Sequence, residues 1–144
     1  ESLYFVLLWS RWVDDAGWAA MRSALASALP APLRWFLPTV IRRKVTSDLV
    51  AQGTGRHRRD EIYDLGRRDL EALSTLLGEG PYFLGERLRT IDVTAYAFLA
   101  NILAEGVSAP LGDAASELPN LRAFVERVAR DIRRASEQAT GAAA

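Results

Sequence analysis

The chain predicts an all-α fold of five or six helices, and three observations carry that expectation. Apolar residues recur at helical spacing along most of its length. No period-two alternation of the kind a half-buried strand needs appears downstream of Trp9. One segment, Thr90 to Leu103, is apolar nearly all round, the pattern of a helix surrounded by other helices. With 144 residues, 49% of them hydrophobic, there is enough material for one core and little for a second. Residues 1–135 are expected to form a single helical domain and residues 136–144 a frayed tail.

Taken in order, Phe5, Leu8, Trp9, Trp12, Val13 and Met21 mark a helix from Ser2 to about Leu29, bent near Gly17. Leu3 to Trp9 alone also fits a strand, but its continuation through Trp12 and Val13 favours helix. Pro30 and Pro32 close this segment, because an internal proline loses a hydrogen bond and clashes with the preceding turn. A second helix is expected from Leu33 to about Ala51, ending before Gly53-Thr54-Gly55. From Arg58 to Leu77 the stripe Ile62, Gly66, Leu70, Leu73, Leu77 predicts an amphipathic helix. Asp64 and Arg68 support its exposed face, and Gly78 stands at the C-cap. After the helix over Thr90 to Leu103, Gly106 to Pro119 reads as a loop rich in Ala, Gly and Ser. A last helix starts near Pro119-Asn120 and carries Leu121, Phe124, Val125, Val128 and Ile132 on one face.

Composition excludes several chemistries. Cysteine is absent, so disulfides, thiolate nucleophiles and Cys-based metal sites are absent with it. His57 is the sole histidine and stands among Arg56, Arg58 and Arg59; no metal site is expected. Lys+Arg and Asp+Glu balance at 18 each, so any charged site must be local. Arg42-Arg43-Lys44 and Arg56 to Arg59 lack the interleaved aromatics that stack bases, and read as solvated faces and not as a nucleic-acid site. The longest apolar run, Leu3 to Trp9, is far short of a membrane span and lacks the basic start of a signal peptide, so a cytoplasmic protein is expected. Of the 18 bases only Lys44 is lysine, a bias that, with the abundant alanine, points to a high-GC bacterial genome.

The most informative stretch is Gly80-Pro81-Tyr82-Phe83-Leu84-Gly85-Glu86-Arg87, followed by Leu88-Arg89-Thr90-Ile91-Asp92-Val93. A glycine-proline turn, two aromatics, a second glycine and a helix with an acid in its first turn resemble the glutathione transferase C-terminal domain. In that family the buried helix opens with a Ser or Thr N-cap and an Asp three residues later, which satisfy backbone donors reciprocally. Here Asp92 at N3 puts Arg89 at the N-cap, and arginine cannot accept a bond. Only the acidic half of the box remains, with Leu88 and Val93 at the positions of a hydrophobic staple. Asp92 is therefore expected to be a structural cap, not a catalyst. Ile62 to Leu70, Phe98 to Leu103, Tyr4 to Trp12 and Pro119-Asn120-Leu121 resemble the failed axon connections and metaxin-like branch.

That resemblance implies a division of labour. In glutathione transferases an N-terminal thioredoxin-like domain holds glutathione, and the helical domain lines the site of the electrophile. This chain starts at Glu1 with residues already helical in pattern, so the expectation is a substrate-side half whose upstream domain is missing. Glutathione would be the cofactor, held through that domain, and a small hydrophobic electrophile the co-substrate. Tyr4, Leu8, Trp9, Arg11 and Trp12, with Tyr63 and Arg67, are the candidate substrate-binding residues; no catalytic residue is assigned. Tryptophans offer flat apolar walls, and an arginine can hold a carboxylate. The alternative is a non-catalytic module that binds a protein partner, since a fold does not dictate an activity. A homodimer fits either reading, because the first two helical segments of this family often pack across a two-fold axis.

Overall fold

The computed structural model describes residues 2–104 and 109–141. Among them are seven α-helices: α1 (Ser2–Trp12), α2 (Asp15–Ala28), α3 (Leu33–Gln52), α4 (Arg59–Leu77), α5 (Thr90–Leu103), α6 (Ala109–Ser116) and α7 (Pro119–Gly141), with a 3-10 turn at Thr54–Arg56. The only sheet-like feature described is a single bridge between Tyr82 and Gly85. The fold is all-α, and two departures raise the helix number above the expected five or six.

The first departure is at the start. The helix expected as one piece breaks at Val13-Asp14 instead of bending at Gly17. Arg42 of α3 explains why the break is stable: its Nε donates to Trp12 O at 2.8 Å and its Nη2 to Val13 O at 3.0 Å. Carbonyls that a helix end leaves unpaired are thereby satisfied. Gly17 has a different role, letting α2 lie against α1. A Cβ there would fall 1.8 Å from Ser10 O. The second departure is α6, which occupies part of the expected Gly106–Pro119 loop; residues 105–108 lie outside the described set. α6 supplies Leu111 and Ala115 to the core, so packing overrides its weak local signal. α7 also continues to Gly141, past Ala135 where fraying is expected.

The core is built where α1, α4, α5, α6 and α7 meet, around Val6, Ile62, Leu70, Leu99, Leu121 and Phe124. On α4 the expected stripe faces inward, with Ile62, Gly66, Leu70 and Leu77 buried. Its exposed support differs in one detail: Asp64 pairs with Arg67 at 2.6 Å, not with Arg68. Asn120 ties the end of α4 to α7, its Nδ2 donating to Ser74 O and Gly78 O. The loop before α5 is pinned by Phe83, edge-to-face with Phe124 at 5.1 Å, and by Tyr82, whose hydroxyl donates to Asp131 at 2.6 Å.

α5 is not the fully enclosed helix that its composition suggests. It packs on α6 and α7, while α1 packs on α4, and the side between α1 and α5 stays open. Ile91 and Val93 are 46% and 42% exposed, and only Asp92, Leu99 and Ile102 are buried. An apolar helix face is thus left facing solvent.

Candidate functional site

That open side carries two hollows that share Tyr4 and Phe98. The larger, about 740 Å³, lies between the first turn of α1, the second half of α4 and the start of α5. Its walls are apolar: Tyr4, Phe5, Leu73, Leu76, Ile91 and Phe98, with Asp69 at one edge accepting a hydrogen bond from Ser2. The smaller, about 250 Å³, runs along α1 against α5 and is lined by Tyr4, Leu7, Leu8, Arg11, Trp12, Ala97, Phe98 and Asn101. Four of the seven expected substrate-binding residues, Tyr4, Leu8, Arg11 and Trp12, therefore line one cleft. Their spacing on α1 places them on one face.

Arg11 is the polar element of this cleft. Its Nη2 donates to Asn101 O at 3.1 Å and Asn101 Oδ1 at 3.0 Å. Its Nε is buried with no partner among the described residues. Burial lowers the pKa of the guanidinium, which at neutral pH still stays charged.

The other three expected residues lie elsewhere. Trp9 points from the opposite face of α1 into the core, 8% exposed, with its ring edge-to-face against Tyr63 at 5.6 Å. Tyr63 donates its hydroxyl to Asp14 Oδ2 at 2.6 Å. Burial first, and then that hydrogen bond and the charge of Asp14, push the tyrosine pKa up. Arg67 is on the exposed side of α4 with Asp64.

Asp14 links α1–α2 to α4, since Arg59 Nε and Nη2 each reach one of its oxygens at 3.1 Å. Burial opposes its ionisation, but the bonds from Arg59 and Tyr63 and the charge of Arg59 outweigh this and hold its pKa below the usual value. Sequence reading missed this linkage, whose residues are 45 and 49 positions apart. Phe98, Asn101, Ile91 and Leu76 were also not foreseen as lining residues, because they become neighbours of α1 only through the packing of α4 and α5. Asp92 is a cap: it is completely buried, Oδ2 accepts from Arg89 N and Oδ1 from Phe83 N, both at 2.8 Å. Among the described residues no three His, Cys, Asp or Glu side chains gather as metal ligands, and no helix is long and apolar enough to cross a membrane.

An all-helical bundle with a capping aspartate that ties its pre-helix loop, and an open cleft beside the first helix, defines a glutathione transferase C-terminal type of domain. The family description "Glutathione S-transferase, C-terminal domain" matches residues 66–128. Failed axon connections of Drosophila melanogaster is 36% identical over 115 residues, which are 75% of this chain and 28% of the relative. Isoprene-epoxide–glutathione S-transferase of a Rhodococcus species is 30% identical over 131 residues, 89% of this chain and 55% of the relative. Metaxin-1 of Homo sapiens is 32% identical over 111 residues, 72% of this chain and 24% of the relative. The chain thus spans from about a quarter to just over half of these proteins. No solved structure gives a significant match. Residues 66–128 match the glutathione S-transferase C-terminal domain family, and the chain is similar both to the failed axon connections and metaxin-like branch and to a named glutathione transferase.

Proposed function

We propose that this chain is the substrate-side helical domain of a cytoplasmic glutathione transferase-like protein, which conjugates or reduces small hydrophobic electrophiles once an upstream thioredoxin-like domain supplies bound glutathione. The observation that supports the reading is the α1–α5 cleft, with apolar walls from Tyr4, Leu8, Trp12 and Phe98 and Arg11 and Asn101 as its polar lining. A pocket of apolar walls with few convergent polar groups suits a small electrophile. Similarity to a transferase named for an epoxide, across 89% of this chain, supports the same reading.

The test is turnover by the protein translated from the complete reading frame, with glutathione and a small alkyl epoxide. Conjugate should form, and Trp12→Ala should raise KM for the epoxide about tenfold, the loss expected for removing a large apolar wall. Glutathione binding without turnover of any hydrophobic electrophile rejects the enzyme reading. A second reading, a non-catalytic module that binds a protein partner, is favoured by the likeness to failed axon connections and metaxin-1. It expects neither glutathione response nor turnover.

A further inference from the structure

The α1–α5 cleft follows α1 from Tyr4, at the mouth shared with the larger hollow, through Leu8 to Arg11 and Trp12. Trp12 therefore stands at its far end, and it is also the last residue of α1. The carbonyls of Trp12 and Val13 fall at the break, beyond the point where α1 can pair them. The helix alone does not fix the backbone that carries this indole.

Arg42 of α3 supplies what the helix end lacks. One edge of its guanidinium donates to both carbonyls, Nε to Trp12 O at 2.8 Å and Nη2 to Val13 O at 3.0 Å. The same group lies over the ring of Trp18 on α2, 4.8 Å from its centroid. Trp18 in turn stands against Trp12, with the ring centroids 6.1 Å apart and the planes at 35°. Arg42 thus reaches Trp12 by two routes, through the backbone directly and to the ring by way of Trp18, without lining the cleft itself. Asp15, which pairs with Arg42 at 3.5 Å, has a fully exposed side chain and contributes little. The two carbonyls and the indole face are what hold the guanidinium. A lysine could not replace it, because an ammonium lacks the planar fork that serves two acceptors and stacks on a ring at once.

We propose that Arg42 is a positioning residue that sets where Trp12 closes the cleft, and thereby the size of the ring the cleft accepts. The inference rests on the reading of this cleft as the electrophile site. It makes α3, which lends no wall, a determinant of selectivity. A cleft of about 250 Å³ with fixed walls favours a small apolar ring, since a contact opened to a gap is lost outright. Without Arg42 two carbonyls lose their donors and must turn toward other partners, which carries the indole with them. The cleft then lengthens. A single ring loses one of its walls, whereas a fused double ring spans the added length and keeps its contacts.

The experiment is calorimetric titration of the chain with toluene and with naphthalene, in wild type, Trp12→Ala, Arg42→Met, Arg42→Lys and Asn120→Ala. Asn120→Ala serves as the stability control, because it strands the carbonyls of Ser74 and Gly78 where α4 meets α7, outside the cleft lining. Arg42→Met and Arg42→Lys should each raise the toluene dissociation constant about tenfold, the worth of a lost apolar contact in a pocket. Naphthalene binding should change by no more than about twofold, and Asn120→Ala should change neither ligand. Wild-type selectivity in Arg42→Met overturns the inference, and if Trp12→Ala still weakens toluene the cleft reading survives it. Wild-type selectivity in Arg42→Lys also overturns it, since charge alone would then suffice. So does an equal loss for both ligands, or the same loss in Asn120→Ala, because destabilisation would then account for the effect. Toluene that does not bind the wild-type chain, or binds Trp12→Ala as tightly, rejects the cleft as the site and the inference with it.

Discussion

Two buried carboxylates on this chain hold structure in different ways. Asp92 caps α5 alone, because Arg89 at the N-cap can donate but not accept. Its two oxygens satisfy Arg89 N and Phe83 N, so it also fastens the loop to the helix. Asp92→Ala should cost about 3 kcal/mol, the desolvation penalty of two stranded donors, and Arg89→Thr should add about 1 kcal/mol by completing the box. Urea midpoints of the two variants check both signs; a neutral or destabilising Arg89→Thr would sink the capping register. Asp14 works through charge. Its folded pKa is lowered, so its contribution is complete above the unfolded carboxylate value near 4 and is lost as pH falls through the folded value. Stability should therefore drop on acidification below about pH 4, and Asp14→Asn should flatten that limb while costing about 2 kcal/mol at pH 7. The figure stays modest because the Arg59 side chain is more than half exposed to solvent. An unchanged acid slope in the variant would show that Asp14 and Arg59 do not hold α1 to α4.

At the scale of elements, small residues decide how helices approach. Gly66 on α4 faces α1 and α6, and a Cβ there would meet Leu111 Cδ2 at 2.6 Å and Val6 Cγ1 at 2.9 Å. Gly66→Ala gains about 1 kcal/mol of helix propensity but loses about 1 to 3 kcal/mol to overpacking. At Gly17 the obstacle is the Ser10 carbonyl, part of the backbone of α1, and it cannot move aside as a leucine methyl can. Gly17→Ala should therefore be the more damaging of the two, and thermal melts of both variants test that order. Stripes such as Ile62, Gly66, Leu70 and Leu77 were legible because burial on one side of a helix imposes its period on the residues. The break at Val13-Asp14 was not, since the arginine that stabilises it comes from α3, some 30 residues away. α6 was hidden for a related reason: Ala, Gly and Ser predict a loop locally, and only Leu111 and Ala115 meeting the core make it a helix.

For the whole molecule, composition misleads on one point that matters for function. An all-round apolar α5 predicts complete enclosure, yet the described helices cover it on the α6 and α7 side and leave Ile91 and its neighbours open toward α1. Tyr4, Leu8, Arg11 and Trp12 line the cleft because they share one face of α1, whereas Trp9, expected with them, lies on the opposite face in the core. The opposite wall could not be read from the sequence, because Ala97, Phe98 and Asn101 reach them only after α1 and α5 have packed on different partners. Exposed apolar hollows of this size attract amphiphilic dyes and protein surfaces alike. The chain by itself should therefore bind one anilinonaphthalene sulfonate in the groove of about 740 Å³ between α1, α4 and α5. Leu76, 63% exposed on that wall, can be changed without disturbing the core. Leu76→Glu should reduce dye binding severalfold through desolvation of the new charge, while the melting temperature stays within a few degrees. Equal dye binding in Leu76→Glu would place the dye elsewhere, and a dye-silent wild-type chain would show that the groove is closed in solution.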